Sequence, residues 1–130
     1  MSLSFNYFSS AIEIADLIRL KEISPTELME WTLDRIRDLN PRFNAIVAMD
    51  EEMALKEASR QTEQIAHGHD LGPFGGLPFA VKDLENANGF ATTKGSRLYR
   101  DNIVDFDDVL VDRLKRSGAI LIGKTNTPEF

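Results

Sequence analysis

Lys82 is the residue of this sequence with the most evident chemical potential, because it follows an apolar run and directly precedes Asp83. The run, at 77–81, is opened by two glycines, a pattern typical of a short buried strand. Lysine is seldom buried in proteins unless it has a partner or a chemical task. The amine of Lys82 therefore either leads the strand out into water or acts as a base. The residues on their own favour the solvent-facing strand end.

A second group of candidate residues is the loop with His67, His69 and Asp70. Imidazole and carboxylate groups can bind a metal ion, but a site in so short a loop needs a further ligand and supporting hydrogen bonds from elsewhere. Polar residues at a helix end are the more ordinary interpretation, and we expect neither a metal nor a cofactor. The sequence contains no cysteine, which excludes disulfides, thiolate nucleophiles and cysteine-bound metals.

The segment 118–125 matches the phosphate-loop pattern G-x-x-x-x-G-K-T letter for letter. A phosphate loop follows a strand, opens a helix and curls its backbone amides around phosphates. Here a helical segment precedes Gly118, and the intervening Ala, Ile, Leu and Ile favour extended backbone. We therefore expect a strand at this position and keep nucleotide binding only as a distant alternative.

The composition disfavours the functions that require a basic surface or a membrane span. The 130 residues carry a formal net charge of −6, with 42% hydrophobic and 28% charged residues, as in a folded globular domain. An acidic balance argues against a broad face for nucleic acid or anionic membranes. No apolar stretch approaches the roughly 20 residues of a membrane span, and no secretory signal is evident. We expect a cytoplasmic protein with one folded unit.

The elements that must position the candidate residues follow from apolar periodicity and from capping patterns. Spacing of three and four residues predicts helices over 10–23, 25–39, 51–66 and 107–117. The second begins with a capping box at Ser24 and Glu27, and Asn40-Pro41 predicts its end. Thr127-Pro128-Glu129 predicts the start of one more helix.

Apolar runs predict strands at 43–48, 77–82 and 119–122. The order strand, helix, strand between 77 and 122 predicts that the last two strands are parallel. The expected fold class is therefore α/β, with N-terminal helices leading into part of a mixed or parallel sheet flanked by helices. The loop 84–96 is rich in small polar residues, and loops attached to a buried strand often carry functional sites.

Two stretches together carry a family resemblance: GPFGGLPFAVKDLENANGFATTKGS at 72–96 and DRLKRSGAILIGKTNTPEF at 112–130. They contain the motifs G-x-P-x-x-V-K-D and G-K-T-N-x-x-E-F in that order. The helical segment SPTELMEWTLDRIRDLNPRFNAIV precedes them. With these motifs, and over most of its length, the chain resembles the amidase signature family, whose members hydrolyse C–N bonds.

The resemblance implies a catalytic set of one lysine and two serines, in which Lys82 matches the lysine of the V-K-D motif. In such enzymes the neutral lysine receives a proton through a bridging serine, while the second serine attacks the amide carbonyl and forms an acyl-enzyme. Because the ordinary pKa of lysine is near 10.4, the role predicts that Lys82 is buried. The motif positions expected to shape the site without performing chemistry are Asp83, Thr93, Gly95, Ser96, Asn126 and Glu129.

Both serines of the family lie in a glycine- and serine-rich segment after the K-T-N motif, and no such segment is found up to Phe130. We therefore expect the two serines beyond Phe130. Residues 1–130 are interpreted as the N-terminal part of an amidase domain, truncated before the catalytic serines and inactive alone. The alternatives are the glutaminase subunit of a tRNA-dependent amidotransferase and a non-catalytic α/β interaction module. The expected partners are a small-molecule amide and, in a homodimer, a second copy of the chain, without nucleic acid or membrane.

Overall fold

The computed structural model describes residues 5–130, and the predicted α/β architecture is confirmed within them. The helices are α1 (Ala11–Arg19), α2 (Pro25–Phe43), α3 (Glu51–Ala66) and α4 (Val109–Arg116). The strands are β1 (Ile46–Met49), β2 (Pro78–Lys82) and β3 (Ile120–Thr125), and a 3₁₀ turn spans Arg97–Tyr99. No helix in this described part has both the length and the apolar content needed to cross a bilayer.

Capping side chains fix where the first two helices begin. The Ser24 hydroxyl accepts a hydrogen bond from the Glu27 amide, and the Glu27 carboxylate accepts one from the Ser24 amide, so the predicted capping box is confirmed. Ser10 and Glu13 form the same arrangement before α1. Hydrogen bonds from the serine amides, assisted by the hydroxyls, hold the pKa of the Glu13 and Glu27 carboxyls below the usual range.

The predicted end of α2 at Asn40-Pro41 is wrong, because the helix continues to Phe43. Pro41 lies in the last turn of α2. The Asn40 side chain accepts a hydrogen bond from the Ile46 amide and donates one to the Ile46 carbonyl, which fastens this turn to β1. Asn44 follows as the capping residue, and its left-handed conformation with φ 49° ends the helix after Phe43.

Several other predicted boundaries also change. Helix α1 ends at Arg19 rather than at 23, and β1 begins at Ile46 because α2 occupies the residues before it. Strand β3 continues to Thr125 rather than ending at 122, so Lys124 lies inside the sheet. Residues 126–130 form no helix, in contrast to the helix start predicted at Thr127.

The sheet has the order β1-β3-β2, with β3 parallel to β2 and antiparallel to β1. One face packs against α2 and α3 through Ile120 and Ile122. We call this the helix face. The opposite face packs Val81 and Leu121 against residues of the loop after β2 and against α4. We call this the loop face.

One extra residue in β3 changes which face its later side chains occupy. Phe79 pairs with Leu121, but the next residue of β2, Ala80, pairs with Gly123, so Ile122 has no partner of its own on β2. Such a bulge places two consecutive residues, Ile122 and Gly123, opposite one position of the neighbouring strand. Side chains beyond the bulge therefore point to the face opposite to the one that simple alternation predicts.

Gln61 is a buried polar residue of α3 that fastens the helix to the approaches of both parallel strands. Its amide nitrogen donates to the Gly118 carbonyl at 3.0 Å, and its amide oxygen accepts from the Gly76 amide at 2.8 Å. Gly118 precedes β3 and Gly76 precedes β2. The side chain thus satisfies two backbone groups that water does not reach easily.

We expect Gln61→Leu to lower the free energy of unfolding by about 1–3 kcal/mol, because it removes two buried hydrogen bonds and leaves the Gly76 amide and the Gly118 carbonyl only their mutual contact at 3.3 Å. The measurement is equilibrium denaturation of the folded protein. Gln64→Leu is the matched control, since Gln64 lies on the same helix and its side chain makes no hydrogen bond to any residue of 5–130. Equal losses in the two variants would contradict the role given to Gln61.

Candidate active site

Lys82 is the last residue of β2, and it pairs with Thr125 at the end of β3. The carboxyl ends of parallel strands are where α/β proteins most often bind ligands. The Lys82 side chain is exposed, and among residues 5–130 its amine has no hydrogen-bond or ion-pair partner. The burial expected of Lys82 therefore stays a prediction, because no side chain of residues 5–130 covers its amine.

Asp83 follows Lys82 but points to the other side of the sheet, where it is 3% exposed. Its Oδ1 accepts a hydrogen bond from the Thr93 amide at 3.0 Å, and its Oδ2 accepts one from the Thr93 hydroxyl. Its backbone amide donates to the Thr125 carbonyl, and its own carbonyl accepts from the Lys94 amide. Asp83 therefore joins β2, β3 and the loop that follows β2.

Lys124 is the residue that sequence analysis missed. It is fully buried, with its Nζ 3.4 Å from Asp83 Oδ1, 3.1 Å from the Thr92 hydroxyl and 3.3 Å from the Ala91 carbonyl oxygen. Sequence analysis considered this lysine only as part of the phosphate-loop pattern. A lysine at the end of an apolar run, the signal that drew attention to Lys82, is also present here.

Thr93, Gly95 and Ser96 lie together in the turn that closes the loop after β2. Thr93 binds Asp83 as described, and its hydroxyl also accepts from the Gly95 amide at 3.2 Å. Ser96 is buried, and its hydroxyl accepts a hydrogen bond from the Leu98 amide, so it caps the 3₁₀ turn. These three residues shape the backbone near Asp83, and Ser96 uses its hydroxyl for structure.

A side chain at Gly95 would be unfavourable for two reasons. Its φ is +67°, a left-handed conformation that costs other residues energy. A Cβ at this position would also lie 2.8 Å from the Thr127 carbonyl oxygen and 2.9 Å from that of Pro128. The loop after β2 therefore approaches the segment after β3 as closely as backbone allows.

Phe130 extends this contact between the loop and the segment after β3. Its backbone amide donates to the Lys94 carbonyl at 2.8 Å, and its ring lies edge-on to that of Tyr99, with the ring centroids 6.1 Å apart. The Phe130 side chain is nevertheless mostly exposed. Among the described residues Phe130 thus belongs to the loop contact and adds no reactive group to the site. The position of the two serines beyond Phe130 stays a prediction.

Asn126 and Glu129 occupy different surroundings. Asn126 donates from its side chain to the Asn44 carbonyl at 3.1 Å and accepts from the Thr127 amide, so it fastens the end of β3 to the turn before β1. Glu129 is exposed, and its carboxylate binds no other residue of the described range 5–130. The structure thus brings Asp83, Thr93, Gly95 and Ser96 together, and it leaves Glu129 apart from them.

The two other candidate sites from the sequence are the loop at 67–70 and the segment 118–125, and both have structural roles. His67 contacts the Glu63 carbonyl at 2.7 Å, and Asp70 accepts from the Gly72 amide at 2.8 Å, as in an ordinary helix end and turn. From residue 5 to residue 130, no group of three His, Asp or Glu residues is placed to hold a metal ion. Segment 118–125 contains the strand β3, and its backbone does not curl as a phosphate loop does.

Two aspartates before α4 fix the middle of the loop that follows β2. Asp108 accepts from the Asn86 amide at 2.7 Å, and Asp107 accepts from the Asn88 amide at 2.7 Å. Asp107 also pairs with Lys115 at 2.7 Å. Partial burial alone would raise the pKa of Asp107, but the bonds from Lys115 and Asn88 and the charge of Lys115 outweigh it and lower this pKa.

A family model for amidases matches residues 27–130. The chain belongs to the amidase family. This amidase-family chain is 41% identical to a glutamyl-tRNA(Gln) amidotransferase subunit of Carboxydothermus hydrogenoformans, over 95% of this chain and 26% of that protein. It is 40% identical to an acylamidase of Rhodococcus erythropolis, again over 95% of this chain and 26% of the relative.

Solved structures of amidases share the fold. The native peptide amidase of Stenotrophomonas maltophilia superimposes with a TM-score of 0.88 at 32% identity, covering 95% of this chain and 26% of that enzyme. A bacterial aryl acylamidase gives a TM-score of 0.86 at 30% identity, covering 93% of this chain and 26% of that one. The amidase-family chain thus spans about a quarter of the length of these relatives.

We expect Gly95→Ala to be more destabilising than Gly89→Ala by at least about 1 kcal/mol. Both glycines have positive φ, but a Cβ at Gly89 would meet nothing within 4 Å, whereas one at Gly95 would overlap two carbonyl oxygens. The difference therefore isolates the contact between the loop and the segment after β3. Equilibrium denaturation measures it, and equal effects would show that this contact contributes little.

The Asp107 carboxylate should make stability fall in acid. Because its pKa is lowered in the folded state, its contribution is fully present above the ordinary aspartate pKa of about 3.9 and is lost as pH falls through the lower folded value. In Asp107→Asn we expect a shallower loss of unfolding free energy below about pH 4. Asp105→Asn, at an exposed position without a partner in the described chain, should keep the wild-type slope.

Proposed function

We propose that this chain supplies the N-terminal part of an amidase that converts carboxylic amides to an acid and ammonia or an amine, and that Lys82 is its general base. The observation that carries the proposal is the position of Lys82. It lies within the V-K-D motif, at the carboxyl end of a parallel strand, with its amine free of partners among residues 5–130. Membership of the amidase family supports the reaction type.

In the proposed reaction two serines from outside these 130 residues complete the site. One serine attacks the amide carbonyl carbon, and its proton passes through the bridging serine to the free amine of Lys82. The C–N bond then breaks, the leaving nitrogen takes up the proton that Lys82 had accepted, passed back through the bridging serine, and an acyl-enzyme forms. Water releases the acid by attack on the ester carbon, with Lys82 again accepting a proton through the bridging serine.

A neutral lysine at neutral pH requires a site that excludes water, since burial disfavours the charged form. Because Lys82 is exposed here, we assign its cover to residues outside 5–130. Large apolar side chains near α4 are also exposed, including Leu98, Ile103, Val109 and Leu110. The Thr127 hydroxyl oxygen is buried and has no hydrogen-bond partner in the described part of the chain.

The test is amide hydrolysis by the full-length protein expressed from the reading frame that contains these residues. We expect Lys82→Met to lower kcat/KM by about 10²- to 10⁴-fold, the range for loss of a positioned general base. Lys56→Met is the control, because Lys56 is an exposed lysine of α3 that pairs with no group of residues 5–130. Equal hydrolysis by wild type and Lys82→Met would remove Lys82 from the mechanism.

A second candidate is the glutaminase subunit of a tRNA-dependent amidotransferase. The 41% identity to an amidotransferase subunit favours it, and the 40% identity to an acylamidase favours a self-contained enzyme. Hydrolysis of simple amides by the purified protein alone supports the first candidate, whereas glutamine hydrolysis only with partner subunits supports the second. Inactivity in both assays favours a non-catalytic module. The cytoplasmic location and the homodimer stay predictions.

A further inference from the structure

Asp83 presents a problem for the base assigned to Lys82, and this inference rests on that proposed function. The two residues are adjacent in the chain. A carboxylate close to a lysine stabilises the charged ammonium, which cannot accept a proton. An enzyme that places an aspartate next to its base must therefore keep that carboxylate away from the amine or neutralise its charge.

The structure does both. Asp83 is on the loop face of the sheet with Val81, whereas alternation places Lys82 on the opposite side. The carboxylate is held there by the amide and hydroxyl of Thr93 and by the ammonium of Lys124 at 3.4 Å. Lys124 is itself anchored by the Ala91 carbonyl and the Thr92 hydroxyl.

The bulge in β3 is what brings Lys124 to this position. Ile120 and Ile122 are packed on the helix face, so strict alternation would direct Lys124 there as well. The extra residue shifts the order, and Lys124 pairs with Val81 of β2 and Ala48 of β1, both of which belong to the loop face. The apolar cluster of the helix face contains no carboxylate, whereas on the loop face Lys124 meets Asp83.

We propose that Lys124 is a positioning residue, which holds the Asp83 carboxylate on the loop face and balances its charge so that the amine of Lys82 stays free to act as a base. Lys124 does not touch the substrate in this proposal. It acts on the reaction only through the charge and the direction of Asp83.

Few other charges adjoin this end of the sheet in the described range 5–130. Strand β1 contains no charged residue, and the loop and the last segment contribute Glu85, Lys94 and Glu129. Of all the cations described, only Lys124 lies within 4.0 Å of the Asp83 carboxylate. The electrostatic effect of Asp83 on Lys82 therefore depends mainly on whether Lys124 is present.

The test measures the protonation of Lys82 in the full-length protein by competitive acetylation. Acetic anhydride is applied across a range of pH, and peptide mass spectrometry quantifies the acetylated fraction of Lys82 against that of Lys56. In Lys124→Met we expect the pH midpoint of Lys82 acetylation to rise by about one unit, the low end of the effect of a nearby opposite charge. In the double variant Lys124→Met/Asp83→Asn we expect the wild-type midpoint.

A purely structural role for Lys124 would not produce this pattern, because the double variant removes even more of the buried network. Lys124→Gln is a second variant, which keeps a hydrogen-bond donor for Ala91 and Thr92 while removing the charge. It should raise the midpoint as Lys124→Met does. An unchanged midpoint in either folded variant overturns the proposal, and so does failure of both to fold, since Lys124 is then needed only for folding.

The acetylation midpoint can be measured whether or not the protein hydrolyses amides, so the two proposals fail separately. A raised midpoint in a protein whose hydrolysis is unaffected by Lys82→Met refutes the general base but supports the action of Lys124 on Lys82. Hydrolysis that depends on Lys82, together with an unchanged midpoint, refutes the positioning role of Lys124 and still supports Lys82 as the general base. If both hold, the acid limb of kcat/KM moves with the midpoint in each variant.

Discussion

The ion pair between Lys124 and Asp83 is the interaction on which the geometry of the site depends. Burying two charges costs free energy. That cost is offset only where hydrogen bonds satisfy the donors and acceptors of the two charged groups that the ion pair itself does not satisfy. Here Ala91, Thr92 and Thr93 supply those bonds from consecutive positions of one loop. The loop after β2 is therefore held to the sheet by charge and hydrogen bonding where the apolar cluster of the loop face ends.

The hydrogen bonds that hold the loop after β2 extend from this ion pair in two directions. Through Thr93 it reaches Gly95, where the loop touches the backbone of residues 127 and 128. In the other direction Asn86 and Asn88 bind the two aspartates that precede α4. The Lys82 side chain lies at the edge of this network, so its neighbours are held in place while its own amine contacts no partner among residues 5–130.

Local signals in the sequence predicted much of this fold. The capping box at Ser24 and both ends of α3 depend on residues near one another in the chain, and both are confirmed. The parallel pairing of β2 with β3 was predicted from the order strand, helix, strand and is confirmed as well. The continuation of α2 through Pro41 escaped prediction because it depends on a contact with β1. The burial of Lys124 escaped it because a bulge is set by pairing between strands, which periodicity in one strand does not reveal.

The bulge also makes the surroundings of the later β3 residues depend on how the strand pairs with β2, and not only on which residues it contains. Substitutions along the strand alter one side chain at a time, but loss of the bulge at constant length would exchange the surroundings of every residue after Ile122. Lys124 would then enter an apolar cluster that includes Met29 and Leu33, and Asp83 would keep its burial without its cation. Deletion of Ile122 would instead remove the bulge and leave Lys124 opposite Val81 on the loop face, so in this strand a change of pairing register matters more than a change of length.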